Sequence, residues 1–575
     1  MAAAWQGPTL NETTLAFGPL PLIGPLLSRL DVAALIDRHL PPDPQLAYSH
    51  GRVLSLLLAA RLCQPTALVN ISTWAANTGA DLLWDIPAVD LNDDRLGRSL
   101  DAFFTQRHSI LSSIASQTLH LAEISPRRLH FDTTHLTFEG AYPSSVPRPD
   151  STQWPPRSSA NIGPAHITHG YAAQEKLIHV GLTSVVDDLG AIPILSQCIS
   201  GNDNNHTAIE QHSAWLLDLG LLQRGSLLIS DRGTYSLEHV ARLHRHDCQV
   251  LCAAPWADYQ ALYDQHAAAL RWQTASFLSR EQQRRRETGS SLPLEHYELA
   301  VLRHTLTDPQ SNQAIPCRVI FAYSSADAAI CRQTREQDIE RLRAGLAQVA
   351  ATVARGSTRT TQASISRRIS KLFGQRAAAH LFRWEMVPLS AAEQAALPAP
   401  ARGCRRPSYR FHYEFDEAAA LAAVGYDGLS VLVTTAEQTS SADTLFTEYK
   451  EQNYVELGHH QWKSPLAVRP LFLKSPERVE ALVCLLQIAL TAHQLLERFY
   501  RQSVPAEAEV AEQRLTAESL LRAFRSYGLI QRRTRLGRVV HATHLTQRQQ
   551  QILSQLDFPT PAQLLAQVLP PLPHG

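Results

Sequence analysis

The chain has 575 residues, 44% of them hydrophobic and 18% charged, with 53 basic side chains balanced by 53 acidic ones. That balance fits a globular protein of several domains and lacks the basic excess usual in a nucleic-acid binder. Eight scattered cysteines with no CxxC pair argue against a zinc ribbon, and the absence of a signal-peptide pattern or an apolar run of roughly 20 residues predicts a cytoplasmic protein with no membrane contact.

Residues 1–12 read as an unstructured lead. From Leu20 to about His120, apolar residues recur at three- and four-residue spacing in LIGPLLSRLDVAALIDRHL, HGRVLSLLLAARL and LNDDRLGRSLDAFF. This predicts a helical domain over 15–120, open to a DNA-binding or a scaffold role. At Arg127 the period changes. RRLHFDTTHLTFEG, KLIHVGLTSVVDD and AIPILSQCIS alternate as strands, with a DDLG turn between the last two. A proline- and serine-rich loop covers 141–165. A helix to about Leu219, the short strand SLLISD, a helix SLEHVARLHRH and the strand QVLCAA follow. The order is mixed α/β, and residues 125–254 form the first part of a core.

Residues 255–440 read as an inserted region of mixed α and β content, including a long arginine-bearing helical span from Ala326 to Gln375. Residues 441–502 return to the core with two helices. The first, Tyr449 to Lys463, is preceded by Ser440 and Asp443 at capping-box spacing and ended by Ser464-Pro465. The second, Pro476 to Arg498, is apolar enough to demand burial. Residues 503–575 form a tail with one helix, a basic stretch and a proline-rich end.

On the first of those helices Tyr449, Gln452, Glu456 and Lys463 fall within about 60° of one another, a polar face that by itself could be merely solvated. Two further acids sit where chemistry is common. Asp132 lies inside a strand, where an ionised group is costly unless paired or metal-bound. Asp231 ends a strand at a turn into a helix, where it could bind a ligand or cap that helix. With Glu456 they offer three hard oxygen donors, a set suited to two Mg²⁺ ions acting on a phosphodiester. A histidine metal site from His130, His135, His459 and His460 is the weaker alternative. Cys248 and Cys252 read as small buried hydrophobes, and Trp256 and Trp272 as core aromatics.

These motifs resemble DDE transposases of bacterial insertion sequences, in the broad fourth insertion-sequence family with an RNase-H-like catalytic core. That family carries a helix signature of Tyr, Arg, Glu and Lys, matched in spacing here by Tyr449, Gln452, Glu456 and Lys463. HFDTTHLTFEG and LLISDRGTYS are similar to its two aspartate strands. The resemblance implies an RNase-H-like mixed sheet flanked by helices. Asp132, Asp231 and Glu456 would be the catalytic acids, holding two Mg²⁺ ions or Mn²⁺ in their place. Tyr449, Gln452 and Lys463 would contact DNA, although an amide at 452 cannot make the charged bidentate contact of an arginine. The implied partners are the element's terminal inverted repeats, target DNA and a second copy of the chain in the synaptic complex. A non-catalytic DNA-binding descendant and an RNase-H-like nuclease without strand transfer are the competing readings.

Overall fold

The computed structural model describes residues 11–147, 163–170, 175–287, 289, 295–356, 360–374, 376–400, 405–436, 439–463, 473–505, 507, 512, 514–534 and 537–568. The chain begins with strand β1 (Asn11–Leu15) and helices α1 (Leu20–Arg29), α2 (Val32–His39), α3 (His50–Cys63), α4 (Ile71–Thr78), α5 (Ala80–Leu83) and α6 (Asp93–Ala122). Side-chain caps start two of the longer ones: Ser49 accepts from Arg52 N at the head of α3, and Asn92 from Arg95 N at the head of α6.

Strands β2 (Arg128–Phe138), β3 (Thr168–His169), β4 (Lys176–Asp187) and β5 (Gly190–Ser200) come next, then α7 (Asn205–Asp218), β6 (Leu227–Ser230), α8 (Leu237–Arg245) and β7 (Gln249–Ala254). Five of these strands lie side by side in the order β5-β4-β2-β6-β7, the first three antiparallel. β6 runs parallel to β2, and β7 parallel to β6. The β4–β5 turn is the predicted DDLG. Its Gly190 has φ +128°, open to glycine, and Asp187 accepts from Leu189 N at 2.9 Å.

The region expected as one insertion divides in two. Its strands β8 (Gln273–Thr274), β9 (Tyr297–Thr307), β10 (Ala314–Ser324) and β13 (Leu429–Thr434) continue the sheet of β5-β4-β2-β6-β7, with β13 antiparallel to β7 and β10 antiparallel to β13. Helix α9 (Trp256–His266) precedes β8, and helix α10 (Arg280–Glu287) lies between β8 and β9. Trp256 packs on Tyr263, Phe321 and Tyr426, the core role expected of it. Helices α11 (Ser325–Arg355), α12 (Gln362–Phe373), α13 (Ala391–Ala396) and α14 (Glu417–Val424), with the hairpin of β11 (Phe382–Pro388) and β12 (Tyr409–Phe415), make a separate unit. This unit has its own apolar cluster around Leu342, Leu346, Ile365, Ile369 and Leu381. Alternation alone could not show which strands join a distant sheet, because both sets carry the same period-2 pattern.

Helices α15 (Ala442–Lys450), α16 (Gln452–Lys463) and α17 (Pro476–Ser503) return to the core. By length and composition α17 could cross a bilayer, but 94% of its apolar window is buried inside the protein. It lies against α6, α3, β5 and α16. One continuous apolar cluster runs from Leu15 and α1 through β2, β4, β5 and α17 to Leu565. The helices of 15–120 therefore share a core with the strands β2, β4 and β5 and are not a free-standing domain. The buried pair Arg107 Nε–Glu480 Oε1 at 2.6 Å joins α6 to α17, and Arg478 donates to Asp101 through Nε at 2.8 Å and Nη2 at 2.7 Å.

The expected tail is also structured. Helix α18 (Ala517–Ala523), hairpin β14 (Leu529–Thr534) and β15 (Gly537–Ala542), and helices α19 (Gln547–Leu556) and α20 (Pro561–Val568) follow α17. β1, part of which was expected to be an unstructured lead, pairs antiparallel with β14, so the two ends of the described chain complete one three-stranded sheet. No local signal marks such a pairing, since its partner lies more than 500 residues away.

Candidate active site

The register places the first two acids. Phe131 pairs with Ser230 in the parallel β2–β6 ladder, so Asp132 and Asp231 occupy the next opposed positions. Side chains at opposed positions of parallel strands project to the same face, about 4.8 Å apart along the hydrogen-bonding direction. Asp231 keeps the strand direction, with φ −79° and ψ 175°. That face is covered by α15 and α16: Leu227 and Ile229 pack with Leu445, Phe446 and Tyr449, whereas Phe131 on the opposite face meets His212 of α7.

Asp231 does not cap the helical turn Arg232–Thr234, and α8 is capped by Ser236 accepting from His239 N. Its Oδ1 is buried and accepts no hydrogen bond among the described residues. A carboxylate oxygen in that state lacks the compensation that burial demands. Asp132 is 15% exposed at its side chain, accepts from Thr133 N through Oδ1 at 2.7 Å and faces His459 Nδ1 through Oδ2 at 3.6 Å.

The predicted helix Tyr449–Lys463 is two helices. It breaks at Glu451, which ends α15, and Tyr454 N bonds to Glu451 O at 2.9 Å across the junction. The capping serine is Ser441, one residue later than expected, accepting from Thr444 N. Asp443 instead accepts from Ser276 N at 2.8 Å. The break separates the four signature residues. Tyr449 lies on α15 and the other three on α16.

Gln452, Val455 and His459 form the buried stripe of α16, with relative exposures of 6%, 1% and 7%. Gln452 Nε2 donates to Phe131 O at 2.9 Å, and Oε1 lies 2.9 Å from His130 Nδ1. Burial pushes His130 down to about 4, so its ring is neutral near pH 7. With the amide nitrogen already donating, the His130 Nδ1–H must be the donor to Oε1. Gln452 thus fastens α16 onto β2, with both ends of its amide used inside the protein. This differs from the expected phosphate contact and has a physical cause: the position faces the sheet, not solvent.

Glu456 sits about 40° round α16 from Gln452 and is exposed at the rim of that stripe. Tyr449 links it to Asp231. Burial first, then the charges of Asp231, Cys252 and Glu456, push the Tyr449 phenol up to about 12, with Arg232 opposing. Burial keeps the Cys252 thiol protonated, so the real negative neighbours are the two acids. Tyr449 therefore stays a protonated donor. Lys463 closes α16, and its side chain lies outside the described residues.

The donor chemistry and the orphaned Oδ1 of Asp231 fit a divalent cation at the Asp132–Asp231 pair. Among the described residues, no three His, Cys, Asp or Glu side chains are arranged to hold one ion together. Glu456 has therefore not closed with the two aspartates into the expected set of three. The sequence reasoning missed His459 as the neighbour of Asp132. The i, i+3, i+7 spacing of Gln452, Val455 and His459 was the available signal that this face packs inward.

Residues 143–492, more than half of the 575, match the family described as "Transposase DDE domain", and residues 13–116 match a domain of unknown function. The chain belongs to the DDE transposases, enzymes of DNA transposition. Asp231 and Glu456 lie inside the matched span, and Asp132 precedes it. No curated protein matches the chain. Among solved structures it is similar to the piggyBac transposase synaptic complex with hairpin DNA, at 9% identity over 95% of this chain and 86% of that one, with a TM-score of 0.32. A likeness that loose carries no argument.

Proposed function

We propose that the chain cuts and rejoins DNA at the ends of an insertion sequence, with Asp132, Asp231 and Glu456 as the catalytic acids of an RNase-H-like core. The observation that carries this is the opposed placement of Asp132 and Asp231 on parallel strands, with a buried, unbonded oxygen on Asp231. The strand order β5-β4-β2-β6-β7, three antiparallel then two parallel, supports the RNase-H-like reading. Mg²⁺, with Mn²⁺ as a substitute, supplies when bound the charge that steadies the attacking and leaving oxygens of a phosphodiester.

The protein's own contribution is placement. β2 and β6 hold two carboxylates side by side, and Gln452 holds α16 over them so that Glu456 stands at their rim. His459 flanks Asp132 and limits how its carboxylate can turn. Tyr449, protonated at working pH, donates to a DNA phosphate beside the acids, and Lys463 adds a point charge to the same strand. Such contacts set register without reading sequence. The DNA partners are the terminal inverted repeats and the target, and two copies of the chain hold the two ends.

Strand cleavage of a labelled element-end duplex in Mg²⁺ tests the proposal. Asp132→Ala, Asp231→Ala and Glu456→Ala should each lower the single-turnover rate by about a hundredfold or more. An unchanged rate in any one of them removes that residue from the catalytic set. The burial of Gln452 weakens the case for a non-catalytic descendant, because the missing arginine leaves no gap on a DNA-facing surface.

A further inference from the structure

The unit formed by residues 325–424 carries fifteen Lys and Arg against nine Asp and Glu, in a chain whose net charge is +0. The excess is not spread evenly. The second half of α11, residues 341–355, and all of α12 contain six cations (Arg341, Arg343, Arg355, Arg367, Arg368 and Lys371) and no acid. All six are exposed, and none is in an ion pair among the described residues. Elsewhere in the unit, arginines do have acidic partners: Arg335 with Asp427, and Arg376 with Asp338.

The two helices run alongside each other at close range. A Cβ added at Gly345 would meet Leu372 Cδ1 at 2.5 Å, so a larger residue there would push the Leu372 side chain aside. Arg368 crosses the seam, with Nη1 3.2 Å from Thr352 Oγ1 and Nη2 3.5 Å from Gln348 Oε1. On α11, Arg341, Gln348, Thr352 and Arg355 lie within about 60° of one another along this edge. On α12, Arg368, Lys371 and Arg367 fan outward from it over about 100°. Arg343 lies on the other side of α11, over the Phe415 ring at 4.4 Å to its centroid.

We propose that this seam, with Arg341, Arg355, Arg367, Arg368 and Lys371, is a docking surface for the sugar-phosphate backbone of duplex DNA. It spans about 21 Å of helix, from residue 341 to 355, against one phosphate charge per about 1.7 Å of duplex axis. Five unpaired cations on a rigid helical pair, with no acid between them, present a one-sign field that a polyanion neutralises. Gln348 and Thr352 are engaged by Arg368, and the remaining cations meet phosphates, which carry no sequence information, so the binding is independent of sequence. The proposal rests on the transposase reading for the choice of DNA as the polyanion, but not on the catalytic acids.

Full-length protein and a fluorescent duplex of arbitrary sequence, in EDTA, provide the test. Anisotropy titrations are run from about 50 to 200 mM salt for wild type and for a variant with all five residues changed to Gln. Loss of five phosphate contacts should reduce the slope of log K against log salt by about 4 and weaken binding at least about tenfold. A variant with the four arginines of the seam changed to Lys should keep the wild-type slope, and Arg343→Gln should not alter binding. Unchanged slope and affinity in the five-Gln variant overturn the seam. If the wild-type protein binds no duplex at all, the transposase reading fails with it. Failure of cleavage with intact salt-dependent binding leaves the seam standing and sinks only the catalytic assignment.

Discussion

Gln452 shows how far a single residue can be understood from a motif. Its spacing from Tyr449 and Glu456 marked it as part of a signature, yet spacing does not tell which side of a helix meets the sheet. The structure buries it and uses both ends of its amide, on His130 and Phe131 O. Gln452→Ala leaves a buried N–H and a buried carbonyl without partners, which should cost about 2–4 kcal/mol in urea unfolding. Gln452→Arg should also lower stability and should not strengthen DNA binding, because the side chain points at β2. Stability unchanged in both variants would contradict the docking role. Asp132, Asp231 and Glu456 were legible as residues, each in a segment with its own period. The orphaned state of Asp231 Oδ1 was not, since it depends on what the neighbouring elements fail to donate.

At the scale of elements, the strands of the core and the buried α17 were readable because period and apolarity are local properties. The break between α15 and α16 was not, because Glu451 is an ordinary helix former. Burial pushes its carboxyl up to about 7, Arg128 opposes, and Glu448, Asp188 and Asp187 add to the rise. The folded state therefore holds this proton more tightly than the unfolded chain, so stability should fall as pH rises from about 4.5 to about 7 and stay reduced above that. The effect should be on the order of 1–3 kcal/mol. Glu451→Gln should remove this part of the pH dependence and stabilise the protein at pH 8 relative to wild type, as read by urea unfolding at pH 5 and pH 8. The contact between α6 and α17 has the opposite character. Arg107 is fully buried against Glu480, whose other oxygen accepts from Ala165 N. Arg107→Ala strands a buried carboxylate and should cost about 3–5 kcal/mol; a loss under about 1 kcal/mol would show that the pair is relaxed or solvated.

Across the whole molecule, the unexpected feature is continuity. The helices of 15–120, the catalytic sheet, α17 and the C-terminal segment share one apolar cluster, whereas residues 325–424 carry a core of their own. Domain limits drawn from composition missed this because packing between distant segments leaves no local trace: β1 pairs with β14 across nearly the full chain. The same continuity sets the segments that carry the proposed acids against one body: α16 lies on β2 and β5, and α17 on β5 and α16. The most direct test is to load the protein with Fe²⁺ in place of Mg²⁺ and map hydroxyl-radical cuts in its own backbone. If one metal centre joins the three segments, cuts should cluster near Asp132, Asp231 and Glu456 together, be suppressed by excess Mg²⁺ and vanish in Asp231→Ala. Cuts confined to other segments, or a pattern unchanged in Asp231→Ala, would contradict the account.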